Sequence, residues 1–260
     1  MSPMLIAWIV FACVFGGALA GILLRRVLPA HHLSPESKDS VKLGAGLIAT
    51  MAALVLGLLT ASAKSSFDTQ GNEVKLSASQ IVFLDRALAH YGPETKEIRD
   101  LIRRAITLRL ETTWPEVVSP AGKVAAGKLE DTAQTRSTVD SIEDQLHELA
   151  PRDETQRWLQ RRALQISGGL VQTRWLLFGQ AAGSSIPMPF LVVVVFWLTV
   201  LFASFGLLAP PNATVVGVLV LSALSVAGAI FLILEMDRPF DGVLKISSDP
   251  LRYALSQIDR

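Results

Sequence analysis

The chain has 260 residues, half of them hydrophobic and only 18% charged, with a mean hydropathy of +0.42. A typical soluble domain carries about a quarter charged residues. The net charge is +1, and residues 62–187, the polar middle of the chain, balance 16 basic against 16 acidic side chains. A neutral block of this kind lacks the basic patch that binds nucleic acid. We therefore expect a membrane protein whose first partner is the lipid bilayer, and no nucleic acid.

Two apolar segments open the chain. Met4–Leu24 and Leu43–Ala63 contain no Asp, Glu, Lys, Arg or His. Because about 20 apolar helical residues span a hydrocarbon core of about 30 Å, each segment predicts one transmembrane crossing. The first segment has no positively charged start and is too long for a signal peptide, which argues against cleavage.

The polar block that follows has helical spacing of its apolar residues. A helix continues out of the second crossing to His90 and breaks at Gly92-Pro93. Further helices are predicted over residues 94–113, 129–149 and 153–182, separated by Trp114-Pro115 and by Pro151. Four amphipathic helices predict a bundle with the apolar stripes inward.

Residues 189–234 form a third apolar run of 46 residues, interrupted once by Pro210-Pro211-Asn212. One helix of that length would extend about 69 Å, twice the hydrocarbon thickness. The two prolines disfavour helix, and the Asn212 side chain is suited to cap a new one. The run therefore predicts an antiparallel hairpin of two crossings, about 189–209 and 213–235. Ser247-Ser248-Asp249-Pro250 then predicts the start of a short amphipathic helix, on the membrane or on the bundle.

We therefore expect an all-α integral membrane protein with four transmembrane helices and a helical cytosolic insert between the second and third. Its predicted parts are residues 1–63 (crossings 1 and 2), 64–187 (bundle), 188–236 (hairpin) and 237–260 (tail). Basic residues near the span ends number six on the side of the block and four on the other. The positive-inside rule then places the insert and both termini in the cytoplasm.

This order of segments, with PPNATVVGVLVLSALSVAGAIFLILEMDRPFDGVLKISSDPLRYAL near the end, resembles a bacterial integral membrane family described as bestrophin-like. Bestrophins are pentameric anion channels with four-crossing subunits. The resemblance implies a homo-oligomer, a pentamer by analogy, in the bacterial inner membrane, with small inorganic ions as further partners. It does not imply calcium gating, because the acidic cluster of the animal proteins is missing: the acidic residues after Phe240 are Asp241, Asp249 and Asp259, which stand far apart in the sequence.

The second crossing offers two candidate pore-lining faces. Small or hydroxyl residues recur at steps of three and four, which places them on one helical stripe; they are Gly46, Thr50, Ala53, Gly57, Thr60 and Lys64. Bulky residues occupy another side, and Met51, Leu54 and Leu58 are the candidates there for a hydrophobic gate that closes by dewetting. A small stripe also allows close helix packing in lipid. The residues alone do not choose between these interpretations.

Polar residues at the span ends complete the candidate site. Asn212, Glu235 and Asp237 are candidates for a pore mouth or for the membrane interface. The apolar segments hold no charged side chain that could relay protons or sense voltage, so passive conduction is favoured over driven transport.

No catalytic constellation, cofactor site or metal site is predicted, and an enzyme is not expected. The sequence His147-Glu148 begins like a zinc-protease motif, but the second His is missing. Two functions remain open. One is an oligomeric channel that conducts ions, anions by analogy, and the other is a membrane-anchored scaffold or sensor that acts through its helical bundle.

Overall fold

A computed structural model describes residues 2–29, 34–115, 133–182, 188–210 and 212–258 of the chain. Within these ranges every regular element is a helix, which confirms the predicted all-α class. The chain divides into two compact units, each built from two separate stretches. The first contains Met1–Ser66 and Ser185–Asp237, and the second contains Phe67–Ser184 and Arg238–Arg260.

Four helices are long and apolar enough to cross a membrane. They are α1 (Pro3–Val27), α2 (Pro35–Tyr91), α6 (Met188–Leu208) and α7 (Ala213–Met236). The most apolar windows of these helices have mean hydropathies of 2.1 to 2.6. The 57-residue α2 is continuous, as the sequence predicts, so its residues up to Ser66 belong to the first unit and those from Phe67 to the second.

The third apolar run is divided into two helices, α6 and α7, at the place that the prolines predict. Helix α6 ends at Leu208, and Asn212 begins α7 as its N-cap. The Asn212 side-chain oxygen accepts a hydrogen bond from the backbone N–H of Val215 at 2.8 Å. This bond satisfies one of the N–H groups that a helix start leaves without an internal partner.

Glycines bring α1 and α6 into close contact within the first unit. A β-carbon placed on Gly21 would lie 2.0 Å from the carbonyl oxygen of Ala203, and one on Gly206 would lie 2.1 Å from that of Ala18. A β-carbon on Gly17 would lie 2.7 Å from a carbonyl oxygen of α6. Since only glycine leaves room for backbones this close, these three positions set the spacing of the two helices.

The apolar core of the first unit surrounds this contact. Its fully buried members come from α1, α2, α6 and α7 and include Val14, Ala63, Val194, Ala223 and Ile230. At one end of α1, the Arg25 guanidinium donates a hydrogen bond to the carbonyl oxygen of Ala209, just beyond the last turn of α6. A cation at this position also complements the negative end of the helix dipole.

The second unit is a helical bundle. It contains the second part of α2, a 3₁₀ turn (Pro93–Thr95), α3 (Lys96–Thr113), α4 (Ala133–Glu148) and α5 (Glu154–Ala182). Helix α2 ends because Gly92 has φ = 138°, a conformation that other residues avoid. The predicted helix over 129–149 is present from Ala133, and residues 129–132 lie outside the described ranges.

A buried ion pair fastens α3 to α2. The Arg99 guanidinium donates to both carboxylate oxygens of Asp85, at 2.7 and 3.1 Å. Only 5% of the Asp85 side chain is exposed, so the carboxylate depends on this bidentate partner. Elsewhere in the bundle the Gln160 amide donates to the carbonyl oxygens of Leu146 and Leu149, which satisfies groups near the end of α4.

The tail packs on the bundle, which decides between the two predicted placements of its helix. Helix α8 (Asp249–Gln257) buries Leu251 and Ala254 completely in the core of the second unit. The Trp114 indole N–H, at the end of α3, donates a buried hydrogen bond to the carbonyl oxygen of Ile246 at 2.8 Å. The Trp114 ring also meets Phe240 edge-on, with 5.7 Å between ring centroids.

Candidate pore-lining helix

The apolar section of α2 presents three stripes, and one faces the inside of the subunit. The buried stripe consists of Ala45, Ala52, Leu59 and Ala63, which are at most 7% exposed. At 100° per residue these positions lie within about 40° of one another on the helix surface. The buried stripe contains none of the predicted site residues.

Both predicted pore-lining stripes lie outside this contact. All members of the small stripe are exposed in the subunit: Gly46, Thr50, Ala53, Gly57, Thr60 and Lys64. The bulky stripe is exposed as well, with Leu54 at 75% and Leu58 at 65%, and Met51 lies on the same side. The three stripes are about 110–130° apart around the helix axis. Only 17% of the apolar window of α2 is buried, against 44% for α1.

The glycines of α2 differ from those of α1. Apart from the adjacent turns of α2 itself, no described residue comes within 4 Å of a β-carbon placed on Gly46 or Gly57, whereas the corresponding positions on Gly17 and Gly21 collide with the backbone of α6. Close packing within one subunit therefore accounts for Gly17 and Gly21 of α1, but not for Gly46 and Gly57 of α2.

The hydroxyl groups of the small stripe are engaged with their own helix. The Thr50 hydroxyl donates to the carbonyl oxygen of Leu47 at 2.8 Å, and the Thr60 hydroxyl donates to that of Leu56 at 2.8 Å. A hydroxyl that donates to its own backbone presents only its oxygen lone pair outward. This stripe therefore offers an approaching anion few hydrogen-bond donors.

The three mouth or interface candidates lie at the two ends of α7. Asn212 caps the start and is exposed, whereas Asp237 caps the end and Glu235, also at the end, is only 4% exposed. The two ends are separated by about 35 Å at 1.5 Å per residue. The structure therefore does not bring the three into one site.

Comparison with known proteins relates this architecture to one family. The model of the bestrophin-like domain matches residues 12–251, almost the whole chain. The chain belongs to the bestrophin-like family. A crystal structure of a point mutant of a bacterial bestrophin homologue from Klebsiella pneumoniae is similar, with a TM-score of 0.55 and 12% identity. The match covers 94% of this chain and 97% of that one, which shows a shared fold. No match was found among curated proteins.

The second unit of this bestrophin-like protein contains two neighbouring cations, Arg109 on α3 and Arg174 on α5. Burial lowers the pKa of Arg109 to about 10, and the positive charge of Arg174 adds to this effect. Burial also lowers the pKa of Arg174. Both shifts arise because removal from water, or a like charge nearby, disfavours the protonated form of a base.

The sequence of this bestrophin-like chain was not used to predict the close contact of α1 with α6 at Gly17 and Gly21. The signal was present, since G-x-x-x-G in an apolar segment is typical of a helix-packing face. The interaction of Trp114 with the tail was not predicted either, because no local pattern relates residues 132 positions apart. Among the described residues, no group of three or more His, Cys, Asp and Glu side chains is placed to hold a metal ion.

Proposed function

We propose that this bestrophin-like chain is a subunit of an oligomeric channel that conducts ions passively across the bacterial inner membrane, with α2 lining an axial pore. The observation that carries the proposal is the exposure of two of the three α2 stripes within the subunit. The family supports an ion-channel type of function, and a pentamer follows by analogy with bestrophins.

A helix that lines the pore of an oligomer has three different surroundings: the rest of its own subunit, an adjacent subunit and the lumen. The three stripes of α2 match these surroundings, because one is buried and the other two are open. The small stripe extends through the apolar section, whereas Met51 to Leu58 of the bulky stripe span about 10 Å of it. The small stripe from Gly46 to Lys64 is about 27 Å long, close to the thickness of the hydrocarbon core.

The structure favours the bulky stripe as the one that faces the lumen. The Thr50 and Thr60 hydroxyl protons are used within α2, so the small stripe resembles a surface for close helix contact rather than an ion-binding wall. Met51, Leu54 and Leu58 would then form a hydrophobic constriction, and its wetting would open the pore. The small stripe would pack on an adjacent subunit.

We further propose that the second unit and both termini are cytoplasmic and that the conducted ion is an anion. The choice of an anion rests on the analogy with bestrophins. If the small stripe rather than the bulky stripe faced the lumen, Lys64 at its end would also favour anions over cations near the pore mouth. The apolar segments 4–24, 43–63 and 189–234 contain no charged side chain, which supports passive conduction over proton-coupled transport.

The decisive experiment is chloride and potassium flux from proteoliposomes that contain the purified full-length chain. Leu54→Ala should widen a hydrophobic constriction and raise flux at least several-fold, and Gly57→Leu should reduce assembly. The matched control Leu221→Ala changes a similarly exposed leucine on α7, and its flux should equal that of the wild type.

One result would contradict the channel itself, and another would contradict only the choice of stripe. A folded dimer without an axial hole and without flux would favour the scaffold or sensor. If Gly57→Leu blocked flux in an intact ring while Leu54→Ala had no effect, α2 would still line the pore, but through its small stripe.

A further inference from the structure

A cleft in the second unit lies where the end of α3 meets the tail. It has a volume of about 300 Å³, which is at the lower end of the range for small-molecule sites. Trp114 and Phe240 form part of its wall, and the hydrogen bond from Trp114 to Ile246 fixes the wall in place. Gly242, with φ = 88°, allows the chain to turn between Phe240 and Ile246.

The other part of the cleft is polar and positively charged. Lys245 and Arg252 both line it, against a single carboxylate from Asp249. Arg252 is exposed at its position on α8, so its guanidinium reaches solvent. The start of α8 lies at the same place, and the positive end of the helix dipole adds to the attraction for an anion.

Two hydroxyl groups in the cleft have no partner among the described residues. Thr113 is 3% exposed and Ser248 is 6% exposed, and both line the cleft. Ser248 is the N-cap of α8, yet its side chain makes no capping hydrogen bond. The neighbouring Ser247 instead accepts from the backbone N–H of Asp249 at 3.1 Å. Both side chains therefore keep hydrogen-bonding capacity for a ligand in the cleft.

We infer that this cleft binds a small phosphate monoester with an apolar group attached. The non-bridging phosphate oxygens match the Arg252 guanidinium and the two hydroxyls, and the positive charge of Lys245 adds to the attraction for the phosphate. The aromatic wall of Trp114 and Phe240 accommodates the apolar group. The ligand is either a soluble metabolite or the headgroup of a lipid, since both present the same phosphate chemistry. This binding is independent of ion conduction.

The test is isothermal titration of the full-length protein in detergent micelles with phenyl phosphate, with empty micelles as the blank. Inorganic phosphate supplies the charge alone and phenol supplies the ring alone, so each should bind at least ten-fold more weakly. Arg252→Gln should weaken phenyl phosphate binding at least ten-fold, and Ser248→Ala about three-fold. The matched control Arg161→Gln removes an exposed arginine of α5 outside the cleft and should leave binding unchanged.

Dihexanoyl phosphatidic acid identifies the source of the phosphate. Binding that is ten-fold tighter than that of phenyl phosphate and is lost in Arg252→Gln would indicate a lipid, and weaker binding would indicate a soluble ligand. The inference is overturned if phenyl phosphate gives no heat of binding up to about 10 mM. It is equally overturned if Arg252→Gln and Ser248→Ala bind as the wild type does, or if inorganic phosphate binds as tightly as phenyl phosphate.

Discussion

Replacement of Gly21 by alanine tests whether close backbone contact holds α1 and α6 together. The added methyl group would lie 2.0 Å from the carbonyl oxygen of Ala203, whereas ordinary contact begins near 3.4 Å. The helices must therefore separate by roughly 1.4 Å. A gap of 0.5–1 Å already forfeits about a quarter to a half of the dispersion energy of the atoms involved. Overpacking of this kind typically costs about 1–3 kcal/mol.

The same chain offers a matched control. Gly16 lies on α1 as well, but no described atom comes within 4 Å of a β-carbon placed there. Both substitutions gain about 0.5–1 kcal/mol from the better helix propensity of alanine. The difference between Gly21→Ala and Gly16→Ala therefore isolates the steric effect.

The measurement is the apparent midpoint of thermal unfolding of the purified protein in detergent, at one scan rate for all variants. We expect Gly16→Ala to match or slightly exceed the wild type. Gly21→Ala should unfold several degrees lower, since about 1 kcal/mol corresponds to roughly 2–4 °C for a chain of this size. Equal midpoints for the two variants would refute the close contact between the helices.

Two further predictions concern the second unit. Trp114→Phe keeps an aromatic six-membered ring but removes the five-membered ring of the indole together with its buried hydrogen bond to Ile246, so it should lower the free energy of unfolding by at least about 1–2 kcal/mol in denaturant titration. The exposed Trp158→Phe should have no effect, and equal values for the two variants would contradict the role of Trp114. Burial and the charge of Arg174 hold the pKa of Arg109 near 10 in the folded protein, below its usual value. Above about pH 10 the unfolded chain therefore keeps a proton on Arg109 that the folded protein loses. The free energy of unfolding consequently rises with pH from about 10 upward. Arg109→Met should reduce that rise between pH 9 and 11, and parallel pH profiles of the two proteins would contradict the shift.

The helices could be predicted from the sequence because their causes are local. The charge-free runs determine α1, α6 and α7, and the Pro210 turn with its Asn212 cap separates the last two. The tail helix begins where Ser248 and Pro250 predict it. Each of these signals depends on residues a few positions apart, which is the range over which capping and proline effects act.

The orientation of α2 could not be predicted in the same way. Composition separates its small stripe from its bulky stripe, yet the stripe that the subunit buries is a third one, centred on Ala52 and Leu59. Which side of an apolar helix turns inward depends on the shape of its neighbours, because in lipid every side is apolar. The cleft beside Trp114 could not be predicted either, since it combines residues from two distant stretches of the chain.

The second unit is assembled from two stretches with the α6–α7 hairpin between them in the chain. Its core needs Leu251 and Ala254, which the ribosome adds only after both hairpin helices have been synthesised. Synthesis at about 5–20 residues per second therefore leaves the partial bundle with exposed apolar surface for several seconds. During translation the hairpin can enter the bilayer before the bundle closes, so insertion precedes completion of this core.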